Sequence, residues 1–368
     1  MNNDISKNNN DEICIDVSDL KIHFPSRSGL VGKVSGWTKA VDGVSFAVKK
    51  GEVFAIVGES GCGKTTAAQA IMGLLRPTSG SIKIFIDDSN TAGDQSSSRL
   101  TDKSPKIWEY LNAAQRKNLR KEMQIVFQDP YSSLNPRMTV RAILEEPLII
   151  HKLGNQKERD ARIDELLDQV GLSKSYLDRY PHEFSGGQRQ RIGIARSLAT
   201  APKLIVADEP VSALDVSIQA QIINLLQDMQ TKYNQTLLFI SHDLAVVRHI
   251  ANRIAVMYQG KIMEMGSDHQ IFSSTLHPYT ELLLKSVPKI NKSKTNEKIS
   301  AGKEEIAVNK TSDDKSKNES TEPLNSQYNG CSFYPRCPVR AEQCRNESPQ
   351  LKDFGDGHLC ACFATSLP

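Results

Sequence analysis

The stretch Gly58-Glu59-Ser60-Gly61-Cys62-Gly63-Lys64-Thr65 constrains this chain more than any other, because it is a complete G-x-x-x-x-G-K-S/T loop. Before it lies Glu52-Val53-Phe54-Ala55-Ile56-Val57, a short apolar run that reads as a buried strand. After it, Thr66-Ala67-Ala68-Gln69-Ala70-Ile71-Met72-Gly73-Leu74-Leu75 is helix-compatible until Pro77 and Gly80. In that context the glycines let successive backbone N–H groups converge on phosphate oxygens, and the helix N-terminus adds the positive end of its dipole. Lys64 is then expected to reach the β- and γ-phosphates, and the Thr65 hydroxyl, followed by Thr66, to ligate Mg²⁺. A glycine turn that merely capped a helix would need neither the buried strand before it nor the lysine. The implied ligand is a nucleoside triphosphate.

The chain has 368 residues, enough for one large domain with an appendage or for two domains. Its 39% apolar and 24% charged residues fit a globular protein, and a net charge of +3 announces no basic face for nucleic acid. No apolar run approaches the ~20 residues of a membrane span, and Met1 to Asp11 is polar rather than a signal peptide. The expectation is a cytoplasmic chain, or one held at a membrane through a partner.

Composition divides the chain. Residues 1–11 read as a disordered start, 12–288 as the nucleotide-binding domain and 289–327, rich in Lys, Asn, Ser, Thr and Glu, as a flexible linker. A cysteine-bearing tail, 328–368, closes it. Ile13–Val17, Leu20–Phe24 and Ala40–Phe46 have the rhythm of strands, with a Ser- and Gly-bearing insertion between the last two. Ser79-Gly80-Ser81 opens a hairpin-like segment through Ile86, and 87–106 reads as a mobile surface insertion. Residues 140–170 have a helical pattern broken near Pro147 and Gly154. Leu204–Ala207 and Leu237–Ile240 are continuous apolar runs, as in central parallel strands. Ile254–Met257 and Lys261–Glu264 form a hairpin candidate across Gln259-Gly260.

The run Lys203-Leu204-Ile205-Val206-Ala207-Asp208-Glu209-Pro210 delivers two carboxylates at the end of an apolar strand. Beside a phosphate loop, Asp208 is suited to the Mg²⁺ shell and Glu209 to polarising an attacking water as general base. Phe184-Ser185-Gly186-Gly187-Gln188-Arg189-Gln190-Arg191 then opens a helix with a hydroxyl and bare N–H groups turned toward an anion.

With this last motif the chain resembles the ATP-binding-cassette (ABC) family, whose signature sequence it closely matches. Gln128, in Val126-Phe127-Gln128-Asp129-Pro130, matches the Q-loop glutamine, a further Mg²⁺ contact in that family. Ser212-Ala213-Leu214-Asp215 matches the D-loop, and His242, in Ile240-Ser241-His242-Asp243, the switch histidine. The resemblance implies an α/β P-loop NTPase fold: a RecA-like parallel-sheet core, an antiparallel β subdomain and a helical subdomain inserted at about 129–190. It also implies two nucleotides sandwiched between two cassettes, each site using one subunit's phosphate loop and the Ser185–Gly187 segment of the other. Asp215 and Gln188 belong to the same shared surface. The adenine is expected to stack on Phe24, with Trp37 as the alternative.

Phe127 to Arg137, Tyr180-Pro181-His182-Glu183-Phe184, Ala213 to Gln221 and His277-Pro278-Tyr279-Thr280 look like the peptide-importer branch, closer to its F-type subunit than to the D-type. The implied protein is a peripheral ATPase on the cytoplasmic face of the membrane. Its implied partners are a D-type cassette, two membrane permease subunits and, indirectly, an extracytoplasmic solute-binding protein, with no nucleic acid. Nickel and other small solutes use related cassettes. A soluble ABC ATPase acting on ribosomes or DNA is the other class, but neither tandem cassettes nor a long coiled coil is present.

Cysteine is the remaining signal. Of seven, Cys331, Cys337, Cys344, Cys360 and Cys362 fall after residue 330. A segment this short usually needs a metal or another staple. Four thiolates suit Zn²⁺, but close C-x-x-C pairs are missing, and the spacing does not match common ferredoxin runs either. The tail resembles the C-terminal region of peptide-importer ATPases. That resemblance implies a 4Fe–4S cluster on Cys331, Cys337, Cys344 and Cys362, with Cys360 spare, Zn²⁺ as the alternative ligand and free thiols as the plain alternative.

Overall fold

The structure, a computed structural model, describes residues 13–28, 33–86, 106–286 and 330–365. The expected disordered start, most of the 87–106 insertion and the 289–327 linker lie outside the described residues.

In chain order the elements are β1 (Ile13–Ser28), β2 (Lys33–Lys49), β3 (Val53–Val57), α1 (Lys64–Ile71), β4 (Ser79–Ile84), α2 (Ala113–Glu122), β5 (Met123–Val126), α3 (Pro130–Ser133), α4 (Val140–Ile150), α5 (Gln156–Gln169) and α6 (Gly186–Leu198). There follow β6 (Leu204–Asp208), α7 (Val216–Tyr233), β7 (Thr236–Ser241), α8 (Leu244–Ile250), β8 (Arg253–Tyr258), β9 (Lys261–Ser267), α9 (Asp268–Ser273) and α10 (Pro278–Lys285). The tail adds α11 (Glu342–Asn346), β10 (Lys352–Asp353) and β11 (Leu359–Cys360).

The central sheet runs β10-β11-β9-β8-β3-β7-β6-β5. Its β8-β3-β7-β6-β5 portion is parallel, and β3, β6 and β7 are buried at every position, because α4 to α8 cover one face and α1 and α2 with strands β1, β2 and β4 cover the other. β8 and β9 form the expected antiparallel hairpin. Gln259 and Gly260 have φ of 42° and 80°, the paired left-handed residues of a tight hairpin turn. A second, antiparallel sheet has the order β2-β1-β4. The helical segment α3 to α5 leads from β5 to α6, and α4 and α5 bury Ile143, Leu144, Leu148, Ile163, Leu166 and Leu167.

Several sequence expectations change. Ile13–Val17 and Leu20–Phe24 belong to one bulged strand, and the expected insertion up to residue 39 is largely an extension of the β1–β2 hairpin. β4 pairs with β1 rather than with a strand directly after it. Lys106 is not loose surface: it exchanges both backbone hydrogen bonds with Ile84, at 2.8 and 3.0 Å, and so closes the insertion. The helix after the phosphate loop stops at Ile71, short of Pro77, where Gly73 turns left-handed with φ 67°. A Cβ there would lie 2.5 Å from the Trp108 ring, whose Nε1 donates to the Ile71 carbonyl at 2.8 Å. Pro147 lies inside α4 without breaking it; the break is at Gly154, φ 68°.

The largest change concerns the tail. Short on core of its own, it joins the cassette's. β11 pairs with β9 at Leu359–Met265 and Cys360–Glu264, which extends the central sheet. Phe333 is fully buried, and it shares a hydrophobic core with Tyr258, Tyr279, Cys331 and Cys344. Burying such a ring contributes ~1.5–3 kcal/mol, which a small isolated tail has no surface to supply.

Candidate active site

The parallel strands bring the motifs to one edge. β3 leads into the phosphate loop, β6 ends at Asp208 and Glu209, β7 delivers His242, and β5 delivers Gln128. These strands are neighbours in the order β3-β7-β6-β5, so all four motifs emerge at their carboxyl ends, where ligands of open α/β sheets bind.

Glycine is required in the loop. Gly63, φ 105°, passes so near the Ala40 carbonyl that a Cβ would lie 2.0 Å from its oxygen, and at Gly58 a Cβ would lie 2.1 Å from the Met257 oxygen. Inside the turn Lys64 is buried, its Nζ donating to the carbonyls of Gly58 and Glu59 at 2.9 and 3.0 Å. Burial pushes the Cys62 thiol upward, more than Lys64 beside it draws it down. Ser60 borders the cleft, while Gly61, φ 80°, and Thr66 complete the loop and the first turn of α1.

Thr65 Oγ1 donates to Asp208 Oδ1 at 3.0 Å, so two of the three expected Mg²⁺ ligands already face each other. Burial raises the Asp208 carboxyl above its ordinary 3.8, against the lowering effect of the Thr65 hydrogen bond. Glu209, φ 46°, is held by its N–H to the Ile240 carbonyl at 2.9 Å. Its Oε2 accepts from Gln128 Nε2 at 3.1 Å and lies 3.1 Å from His242 Nδ1, and its Oε1 is 3.7 Å from Lys64 Nζ. Gln128, His242 and Lys64 thus converge on one carboxylate. A cleft of about 650 Å³ opens there, bordered also by Asp129, Ser212 and Ala213.

The signature segment stands apart. Ser185 caps α6, and Ser185 and Gln188 hydrogen-bond reciprocally. Gly186 and Gly187 face Leu214 and Ile218, and a Cβ at residue 187 would lie 2.6 Å from Ile218. Asp215 begins α7 without a side-chain capping bond. None of Ser185 to Gln188 borders the cleft around Glu209. Phe24 and Trp37 are both exposed on the β1–β2 hairpin.

In the tail, burial raises the Cys331 and Cys337 thiols; Cys344, Cys337 and Cys362 add to the effect at Cys331, and Cys362 and Cys344 at Cys337. Cys360 is pushed up by burial, by Glu264 and by Cys362, and its Sγ contacts Thr365 Oγ1. Among the described residues no group of three or more His, Cys, Asp or Glu is arranged to hold a metal ion, so the anticipated iron–sulfur or zinc centre is not pre-assembled.

Two contacts were not anticipated. Tyr279 Oη accepts the Glu59 N–H at 3.1 Å, and Arg336 grips the Glu59 carboxylate at 2.9 Å through both terminal nitrogens. Tyr279 stands in a motif noted for resemblance alone, and nothing in the spacing of Arg336 points to a loop 277 residues away.

A phosphate loop, a strand-end Asp-Glu pair, a glutamine and a histidine on one carboxylate, and a separate Ser-Gly-Gly helix start define an ABC ATPase cassette. The ABC transporter family profile matches residues 41–212, and that of the oligopeptide/dipeptide transporter C-terminal region matches residues 263–344. The chain is 47% identical over 357 residues to the oligopeptide transport ATP-binding protein AppF of Bacillus subtilis, covering 97% of this chain and 99% of that one. It is 42% identical over 346 residues to the dipeptide transport ATP-binding protein DppF of Escherichia coli, covering 94% and 92%. Among solved structures, the dimeric bacterial ABC transporter cassette MJ0796 superposes with a TM-score of 0.57 at 27% identity, covering 69% of this chain and 98% of that one. The cassette cbiO1 from Clostridium perfringens superposes at 0.56 and 27%, covering 71% and 91%. The chain belongs to the ATP-binding subunits of oligopeptide and dipeptide ABC transporters, which hydrolyse ATP to drive transport.

Proposed function

We propose that this chain is the F-type cassette of an importer for short peptides and pairs with a D-type cassette on two membrane permease subunits. Mg-ATP is held by the 58–66 loop, with Thr65, Asp208 and Gln128 around the Mg²⁺ and Glu209 as general base. Phe24 stacks on the adenine, with Trp37 as the alternative. The observation that carries the reading is the separation of the chain's two half-sites. Gln128, His242 and Lys64 gather on Glu209, while Ser185–Gly187 packs on Leu214 and Ile218, leaving it for the opposite cassette's nucleotide. The 128–139 segment, with Tyr131 exposed, is suited to contact a membrane subunit. Among the described residues no helix is long and apolar enough to cross a membrane, which fits a peripheral subunit on the cytoplasmic face. A solute-binding protein outside the membrane would select the peptide.

We assign Cys331, Cys337, Cys344 and Cys362 as ligands of a structural 4Fe–4S cluster in the tail, which would staple it covalently. Zn²⁺ is the alternative. Support comes from the influence of Cys337, Cys344 and Cys362 on the Cys331 thiol, and of Cys344 and Cys362 on that of Cys337. Anaerobically purified protein should be brown and bleached by Cys344→Ser; colourless protein with stoichiometric zinc decides for zinc.

The function itself is tested by uptake of labelled di- and oligopeptides in cells lacking this chain. Loss of uptake, restored by the wild type and not by Lys64→Ala, is expected. Undiminished peptide uptake without the chain would end the peptide assignment.

A further inference from the structure

We propose that Arg336 is a positioning residue of the ATP site, through which the tail holds the phosphate loop in its nucleotide-accepting shape. The inference rests on the assignment of the 58–65 loop to ATP. Arg336 Nη1 and Nη2 lie 2.9 Å from Glu59 Oε2 and Oε1, the two-pronged geometry that makes Arg–carboxylate pairs both strong and directional. Pairing with Glu59 raises the Arg336 guanidinium above its ordinary value.

Glu59 is held at each of its polar groups. Its carboxylate meets Arg336, its N–H goes to Tyr279 Oη at 3.1 Å, and its carbonyl accepts from Lys64 Nζ at 3.0 Å. The tail stands behind two of these contacts. Arg336 belongs to it, and fully buried Tyr279 packs on the tail's Phe333 with ring centroids 5.3 Å apart. The Arg336 guanidinium lies 5.8 Å from the ring centroid of Tyr258, which in turn packs on Tyr279 at 4.7 Å.

Two physical consequences follow for a triphosphate. Lys64 must leave the Gly58 and Glu59 carbonyls to reach phosphate, and a loop anchored at Glu59 keeps its shape when it does, so less ordering remains for binding to supply. Glu59 also borders the cleft, where an unpaired carboxylate would repel the nucleotide; Arg336 cancels that charge. The two side chains are 42% and 40% exposed, so the effect is moderate and screened by salt. The clamp touches neither Gln128 nor His242, so it acts on nucleotide binding rather than on the hydrolytic step.

The test is Mg-ATP affinity of the full-length chain, by competition with a fluorescent nucleotide, and KM and kcat in the assembled transporter. Variants are Arg336→Ala, Arg336→Lys, Glu59→Gln and the Arg336→Ala/Glu59→Gln pair. Arg336→Ala should weaken Mg-ATP about threefold to tenfold and raise KM with kcat kept, the deficit shrinking in high salt. Arg336→Lys should recover part of it, and Arg336→Ala should cost nothing further once Glu59 is Gln. Three results would overturn the clamp: wild-type affinity in Arg336→Ala, an equal loss in both Glu59 backgrounds, or a fall in kcat at constant KM. A wild-type chain that binds no Mg-ATP would instead refute the loop assignment, a result distinguishable from any ratio between variants.

Discussion

Gln128 and His242, in the loops that follow β5 and β7, meet at a single atom: each places a nitrogen 3.1 Å from Oε2 of Glu209. Oε1 faces Lys64 at 3.7 Å, so the carboxylate is oriented from both sides while its backbone sits at φ 46°, a strained setting for a non-glycine residue. The strain is tolerated because the Glu209 N–H is fixed to the Ile240 carbonyl on the adjacent strand.

This arrangement makes Glu209→Gln the sharpest catalytic variant. The amide keeps the size and most of the hydrogen bonds but cannot accept a proton from water. ATP binding should persist while hydrolysis in the assembled complex falls by ~10²-fold or more. Lys64→Ala should instead impair binding. Nucleotide-binding and phosphate-release assays on both variants check the distinction, and wild-type hydrolysis by Glu209→Gln would remove the general-base role.

Asp208 carries a raised pKa because it is buried. A carboxyl raised on folding adds stability that is full below its unfolded value, near 3.8, and is lost as pH climbs through the folded value. Above that window the desolvated charge burdens the metal-free fold. Asp208→Asn should therefore leave thermal stability at neutral pH equal or higher without Mg²⁺, yet abolish the stabilisation that Mg-ATP gives the wild type. Thermal melts with and without Mg-ATP read both effects; a large loss of stability in metal-free Asp208→Asn would contradict them.

His277 is pushed down to about 4, chiefly by burial and against the pull of Glu264. Between its ordinary 6.5 and that value the unfolded chain binds the proton that the folded chain refuses. Stability contributed at His277 is thus present above pH 6.5 and lost as pH falls toward 4. Its Nδ1 accepts the Tyr279 N–H at 3.0 Å as the cap of α10, a role that Asn can keep. His277→Asn should flatten the decline of melting temperature across this window. An unchanged slope would locate the acid sensitivity elsewhere.

Phe333 tests whether tail and cassette share one core. Phe333→Ala should cost ~3–5 kcal/mol and lower the urea midpoint of a single transition reported equally by probes in the cassette and the tail. Two separated transitions, with the cassette's unmoved, would mean that the tail unfolds by itself.

The chemistry of this chain was legible in its sequence because each motif is local. A glycine that a turn requires, a lysine at fixed offset or a carboxylate at a strand end keeps its meaning wherever the strand is placed. The phosphate loop, the Asp208-Glu209 strand end and the Ser185 helix start stood out in that way, as did the central strands from their unbroken apolar runs, whereas Gln128 was named from resemblance alone. His242 was weaker, since a histidine after a buried strand has no intrinsic meaning until β7 is inserted between β3 and β6. Helix limits failed where side chains from afar intervened, as at Gly73 under Trp108.

What only the tertiary structure decided is the place of the tail. Composition marked residues 328–368 as an appendage in need of a staple. Yet β11 adds to β9 and β10 to β11 at one end of the central sheet, Phe333 completes the cassette's core, and fully buried Glu264 accepts the N–H groups of Leu276 and His277 and meets His358 of the tail at 2.8 Å. None of this is periodic or local. An edge strand pairs through backbone groups that every residue carries, and the Arg336–Glu59 pair depends on two side chains 277 positions apart, so neither leaves a mark on the spacing of residues along the chain.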